Sequence, residues 1–243
     1  MAMIRFILPL LLLVPLSLAQ GQVLLEEKNI DPLESINRPL FALNNGLDRF
    51  LVRPIAQVYH AVMPDVGERA VGNFFANLYD VNATINALLQ GRAEGAMQSG
   101  GRFLVNSTVG LLGLIDVATP MGIPPFRTDF GQTLEVWGLD SGPYIMVPLL
   151  GPRTMRSGAG TVGDLFLSPQ VYLVDDTQVR NTLFAAEQID TRARLLKAEE
   201  LMSGDRYIFV RDAYLQHRRF LINDGVVEDS FLESEDDDWD EDF

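Results

Sequence analysis

Asp31-Pro-Leu-Glu-Ser-Ile-Asn-Arg-Pro-Leu-Phe-Ala-Leu-Asn-Asn-Gly-Leu-Asp-Arg-Phe-Leu-Val-Arg-Pro-Ile-Ala-Gln-Val-Tyr-His-Ala-Val62 is the stretch that decides the fold class. Its opening predicts a helix start: Asp31 caps forward, Pro32 takes the first helical position, and Glu34 reaches back to the Asp31 amide. Leu40, Leu43, Leu47, Phe50, Leu51, Ile55, Val58, Tyr59 and Val62 then recur at three- and four-residue steps. That spacing lays one apolar stripe along a helix. Pro54 has no N–H to donate and interrupts it. A second capping box, Asp65 to Glu68, follows Pro64.

Helix signals dominate the rest of the chain. Short helices are expected over residues 66–78 and 81–90, with Gly91 as the C-cap of the second, and another over 92–106. Residues 107–151 are rich in Gly and Pro with apolar runs between them. Without clean period-2 alternation they predict broken helices and buried loops around a site rather than strands. Further helices are expected over 154–166, 177–202 and 205–223. The expected fold is all-α: a single domain over residues 31–225, preceded by a linker over 20–30 and followed by an acidic tail over 226–243.

Composition narrows the function classes. The 243 residues are 47% hydrophobic and carry a formal charge of −14. Ten acidic residues between Glu228 and Asp242 account for most of it, and taking them off leaves −4. A self-repelling block of that kind is expected to be disordered. The mildly acidic body disfavours nucleic acid, whose phosphates need clustered Lys and Arg. The sequence has no Cys, which removes disulfides and thiol chemistry, and its two His are too few for a multi-His metal site. Catalysis finds little support, because neither a G-x-S-x-G elbow nor a P-loop occurs. No cofactor is implied.

The amino terminus has the form of an export signal over residues 1–19. Arg5 supplies the positive start, Phe6 to Leu16 the apolar core and Ser17-Leu18-Ala19 a small-residue cleavage site. After it, no apolar run reaches the 18 or so residues of a spanning helix.

Several polar groups have two readings. Arg38 and Asn44 are exposed groups of a capped surface helix, or part of a functional face. Asn73 and Asn77 lie four apart beside Phe74 and Phe75; they line a polar channel or, more commonly, bond to neighbouring helices. Asp129 and Thr128 either cap the helix carrying Gln132 and Trp137 or belong to a hinge that contains Gly131. The segment over residues 138–151, with Tyr144, Ile145 and Met146, forms a buried apolar connector or else touches acyl chains, with the rings of Trp137 and Tyr144 at an interface.

A set of local motifs in order carries a resemblance. They are Asp31-Pro-Leu-Glu34 with Asn37-Arg38, Asn73-Phe-Phe-Ala-Asn77, Leu88-Leu-Gln-Gly91, Arg102-Phe103 with Asn106, Gly113-Leu-Ile-Asp116, Asp129-Phe-Gly-Gln-Thr133 and Gly142-Pro-Tyr144. Together they resemble the MlaA/VacJ family over residues 31–223. The resemblance implies a helical, ring-like body embedded in the inner leaflet of the outer membrane of Gram-negative bacteria. Such a body binds a trimeric porin, takes mislocalised phospholipid from the outer leaflet and hands it to a periplasmic lipid carrier. It also implies functional candidates. Asn37, Arg38, Phe41, Asn44, Asn73, Asn77, Asp129, Phe130, Gly131, Gln132 and Thr133 are expected at the lipid passage or its gate. Trp137, Tyr144, Ile145 and Met146 are expected to contact membrane. Many family members are lipoproteins, and a chain without Cys must attach to membrane through its folded body. The main alternative is a soluble periplasmic helical scaffold; a weaker one is a secreted hydrolase with an unrecognised site.

Overall fold

The computed structural model describes residues 31–197, 199, 202 and 204–223. The export signal, the linker and the acidic tail lie outside the described residues. The chain runs through α1 (Glu34–Leu47), a π-helical turn (Asp48–Val52), α2 (Arg53–Val62), α3 (Asp65–Leu89), α4 (Ala93–Thr108) and α5 (Phe130–Val136). It continues through β1 (Tyr144–Val147), β2 (Gly151–Thr154), α6 (Met155–Leu167), α7 (Pro169–Leu173), α8 (Thr177–Leu195) and α9 (Arg206–Ile222). The described residues are thus mostly helical, as the sequence predicts. Among them no helix is long and apolar enough to cross a membrane.

Pro54 acts where expected but does not end the helix. It has no N–H for the Phe50 carbonyl, so the bonding widens by one residue, and the Arg53 N–H reaches back to the Asp48 carbonyl. The two expected capping boxes do not form. Leu33 and Pro64 take the N-cap positions of α1 and α3, without side-chain cap bonds. Glu34 instead pairs with Arg38 at 2.6 Å, and Glu68 with His60 at 2.7 Å.

The segment forms one helix, Asp65–Leu89, rather than two. The apolar period lapses around residues 77–80 because the buried face there carries Asn77 and Asp80. The helix ends at Leu89 with Gln90 as its cap, and Gly91 follows with a φ of +72° that favours glycine.

The strands of residues 144–154 are a second departure from expectation. β1 and β2 form an antiparallel hairpin with Tyr144 opposite Thr154 and Val147 opposite Gly151. Helix α1 holds it with two amides seven residues apart. Asn37 Nδ2 donates to the Tyr144 carbonyl (3.0 Å), and its Oδ1 accepts from the Met146 N–H (2.8 Å). Asn44 repeats the pattern one step on, with the Val147 carbonyl and the Leu149 N–H (both 2.9 Å). Two side chains thus do what a neighbouring strand would do, and no alternation in the sequence announces it.

The apolar cluster at this joint is small. Tyr144, Met146 and Tyr207 are buried, with Leu40, Phe41, Tyr214 and Leu215 packed around them. Phe41 meets the Tyr207 ring edge-on at 5.6 Å, and the Arg38 guanidinium lies 4.6 Å over the same ring.

Helices α5 and α6 touch through glycine. A Cβ on Gly160 would sit 2.4 Å from the Gly131 nitrogen and 2.5 Å from its Cα. Backbone cannot yield as a side chain does. Gly160→Ala is therefore expected to destabilise the fold by about 1–3 kcal/mol. Gly101→Ala, on α4 with open space around it, is expected to be neutral or stabilising by up to about 1 kcal/mol. Urea unfolding followed by far-UV circular dichroism checks both.

Candidate functional site

Burial in this protein runs opposite to the usual pattern. Among its largest fully buried side chains are Asn37, Asn86, Thr128, Thr133, Asp80 and Asp190. Large apolar side chains lie outside: Phe50 is 81% exposed, and Leu43, Leu47, Leu51, Ile55, Val58 and Val62 are exposed with it. These residues are most of the stripe that the sequence places on one helical face. The stripe is real, and the face it marks points outward.

Helix α3 is the hub of the polar interior. Toward α4, Asn77 Nδ2 donates to Ser107 Oγ (2.9 Å), and the Asp80 carboxylate takes Arg102 Nε (3.3 Å). Arg102 also reaches Thr119 Oγ1 (3.0 Å), the Ile123 carbonyl (2.5 Å) and Asp116 (3.2 Å), which pins the loop after α4. Burial works against the Asp116 charge, but the bonds from Thr119, Arg102 and Asn106 outweigh it and hold the carboxyl below its ordinary range. Toward α5, Thr133 Oγ1 donates to Asn86 Oδ1 at 2.8 Å. Toward α6, Asn86 and Asn82 donate to Asp164 Oδ1 at 3.0 and 3.4 Å.

Beside this hub lies a cavity of about 490 Å³, walled by α3, the hairpin, α6, α7, α8 and α9. Its ionisable lining comprises Asp129, Arg153, Asp164, Glu187, His217 and Arg218, with Tyr79 and Tyr214 beside them. Phe75, Leu78, Leu165 and Phe184 supply apolar wall. Asp129 is ion-paired to Arg218. Burial, reinforced by the nearby Asp129 charge, pushes the Asp164 carboxyl up to about 6. Burial also raises Glu187. Among the described residues no group of His and acidic side chains has a metal-site arrangement.

The candidates for the passage and its gate fall into three places. Asp129 lines the cavity and caps α5, in a full capping box with Gln132. Phe130, Gly131 and Thr133 sit directly behind it: the Phe130 N–H donates to Asp164 Oδ1 (3.0 Å), and Gly131 lies against Ser157 and Arg218. Asn37, Arg38, Phe41 and Asn44 are at the α1–hairpin joint instead. Asn73 and Asn77 are on α3 facing the α4 side, where Asn73 bonds to the Leu114 carbonyl at 3.1 Å. Trp137 is exposed and Ile145 partly so. Tyr144 and Met146, expected from the sequence to contact membrane, are instead 1% and 3% exposed, because the inward face of β1 packs on Tyr207.

Sequence reasoning missed Arg153, Asp164, Glu187 and Arg218. For Asp164 a signal existed: it is the one acid in the Gly-rich, apolar Met155–Leu167 helix, and an isolated charge there needs a partner or a purpose. The other three sit among many charges and carry no such mark.

A mostly helical body with amides and carboxylates inside, apolar side chains outside and a charged cavity is the class these features define. The chain belongs to the MlaA lipoprotein family, whose model matches residues 29–221. It is 36% identical over 203 residues to the Escherichia coli (strain K12) intermembrane phospholipid transport system lipoprotein MlaA, covering 81% of this chain and 80% of that one. The Haemophilus influenzae protein of the same name is 32% identical over 212 residues, 84% of this chain and 83% of its own. A solved structure reported as "Structural basis for maintenance of bacterial outer membrane lipid asymmetry" superposes with a TM-score of 0.68 at 36% identity, covering 79% of this chain and 99% of that one.

The raised Asp164 carboxyl has a consequence for stability. Between the ordinary carboxylate value and about 6, the folded chain holds a proton that the unfolded chain has released. Stability from this group therefore falls as pH rises through that window and is level above it. Asp164→Asn keeps the acceptor oxygen and removes the titration. The unfolding midpoint in urea is expected to drop less between pH 4.5 and 7 in the variant than in the wild type. Asp80, raised by burial to about 6, contributes the same slope to both.

Proposed function

We propose that this chain is a passive phospholipid conduit of a Gram-negative outer membrane. It removes mislocalised phospholipid from the outer leaflet and hands it to a periplasmic carrier. The relatives named for intermembrane phospholipid transport, and the solved structure concerned with lipid asymmetry, support the general role.

The inverted burial carries the finer reading. A soluble protein rarely leaves large contiguous apolar patches in water. The outward stripe of α1, the π turn and α2 suits immersion in one leaflet, with the exported chain seated on the periplasmic side. Three exposed leucines, Leu111, Leu112 and Leu149, hold positive φ values of 53°, 60° and 66°. Each costs about 1 kcal/mol or more that glycine would not. An apolar tip that must reach lipid gives a reason to keep leucine there.

The cavity supplies the other half. Extracting a two-chain lipid bares roughly 30 methylenes at about 0.8 kcal/mol each, on the order of 25 kcal/mol. A body that keeps the chains against lipid or apolar wall while the headgroup crosses polar ground lowers that barrier. Irregular backbone at membrane depth is tolerated where it lines such a cavity. No covalent step is involved, so direction comes from partners: a trimeric porin that seats the body and a carrier that draws lipid away. Asp129, with Phe130, Gly131, Gln132 and Thr133 behind it, stands at the cavity as gate. The joint of Asn37, Arg38, Phe41 and Asn44, with Asn73 and Asn77, sets the helices around it. Trp137 and Ile145 are the remaining membrane contacts from that segment.

The test is outer-leaflet phospholipid in cells lacking the protein, read with an enzyme that modifies only surface-exposed lipid. The level is expected to rise on deletion and return with the full chain. Phe50→Glu with Val58→Glu, both exposed, should leave helical content unchanged, release the chain from membranes and fail to restore the level. Full rescue by a double variant that is soluble without detergent would replace the conduit with the scaffold.

A further inference from the structure

Two of the charged residues of the cavity neutralise each other, and the remainder form a pattern. Asp129 is neutralised by Arg218. Arg153 makes no ion pair among the described residues; its guanidinium bonds to Thr161 Oγ1 at 3.2 Å and to its neighbour's carbonyl, that of Pro152, at 2.7 Å. Glu187 makes no hydrogen bond or ion pair among the described residues and lies on the α8 side of the same cavity. Asp164 spends one oxygen on α3 and α5 and has no cation bonded to it among the described residues. One guanidinium from the hairpin therefore faces into a space shared with two carboxyls from α6 and α8.

We infer that this cavity selects a phosphoethanolamine group, with Arg153 taking the phosphate and Glu187 and Asp164 taking the ammonium. The inference rests on the conduit reading above. A guanidinium fork matches phosphate oxygens. A headgroup with phosphate but no ammonium satisfies Arg153 and leaves two half-buried carboxyls without a bonded cation, the nearest help being the Arg194 charge felt by Glu187, which is unfavourable for charge held partly out of water. A zwitterion satisfies both signs at once. The apolar wall from Phe75, Leu78 and Phe184 is where the glycerol and the first methylenes rest. The volume is in the range of about 300–1,000 Å³ typical of small-ligand sites.

The experiment uses the full chain in nanodiscs of equal phosphatidylethanolamine and phosphatidylglycerol. The chain is withdrawn, and the lipid that comes with it is quantified by mass spectrometry. The wild type is expected to carry an excess of phosphatidylethanolamine. Glu187→Gln should lower that excess by about tenfold, the worth of one charge-assisted bond. Arg153→Gln should lower recovery of both lipids and leave their ratio unchanged. Unfolding midpoints of both variants within a few degrees of wild type show that the fold is intact. Millimolar glycerophosphoethanolamine displaces the bound lipid if the headgroup alone supplies recognition, and leaves it in place if the diacyl lipid is required; in both cases the Glu187→Gln effect persists. Recovery at the nanodisc ratio, unmoved by Glu187→Gln, overturns the selectivity and leaves the conduit standing. Recovery of no phospholipid by the wild type overturns the conduit itself.

Discussion

Asp164 Oδ1 accepts from Asn86, from Asn82 and from the backbone N–H of Phe130, so one carboxylate oxygen ties α3, α5 and α6 together. The rest of the arrangement follows from it. Bonding to Phe130 N–H brings the start of α5 down on α6, and the approach is close enough that only glycine fits at position 160, while a Cβ at position 131 would be tight. The same approach sets Asp129, the cap of α5, against Arg218 of α9. Closing the cavity and joining the helices are therefore one act. Its cost is a carboxyl held where charge is poorly solvated, which is why its proton is retained to a higher pH than usual.

An interior built this way departs from the usual division of labour between core and surface. Hydrophobic burial here is confined largely to small alanines on the helix contacts and to the Tyr144–Met146–Tyr207 cluster. The helices are held by amides and ion pairs, which are directional. Asn37 and Asn44 pair with hairpin backbone, and Arg102 gathers Asp80, Asp116, Thr119 and Ile123 around one guanidinium. A network of this kind specifies one arrangement strongly, because a slip leaves buried polar groups bare. Large apolar side chains, freed from core duty, are available for the outside.

How far the sequence could be read follows from the same division. Helix existence was legible, because the 3.6-residue period survives whichever way a face points. The broken Gly/Pro middle announced itself through composition. What was hidden depended on polar partners far apart in the chain. α3 looked like two helices because Asn77 and Asp80 occupy buried positions that a soluble helix fills with apolar residues. The hairpin was invisible because the partner of β1 on one edge is a pair of asparagines on α1, more than 100 residues away. Asp31 and Glu34 have the spacing of a capping box, yet Asp31 bonds to Asn37 and Tyr207. Asp129 and Gln132 do form the box that their spacing allows. The difference is burial: Asp31 has distant donors competing for it.

An amphipathic pattern states which face of a helix is apolar and is silent about what covers that face. In a soluble domain the answer is other side chains, so a stripe is read as core. The decisive sign that the stripe of Leu43 to Val62 points outward lies elsewhere in the chain, in the polar side chains that must go inside. Asn77, Asp80, Asn82, Asn86, Arg102 and Asn106 follow helical steps on α3 and α4. Together they would form a polar face too large for a two-helix surface next to an apolar stripe that also demands burial. Both faces cannot be buried against each other, since an unpaired charge against leucine costs several kcal/mol. The two patterns are reconciled when the polar faces meet one another and the apolar face is left outside. The inverted burial is thus a property of the whole set of helices, readable only when their faces are matched pairwise.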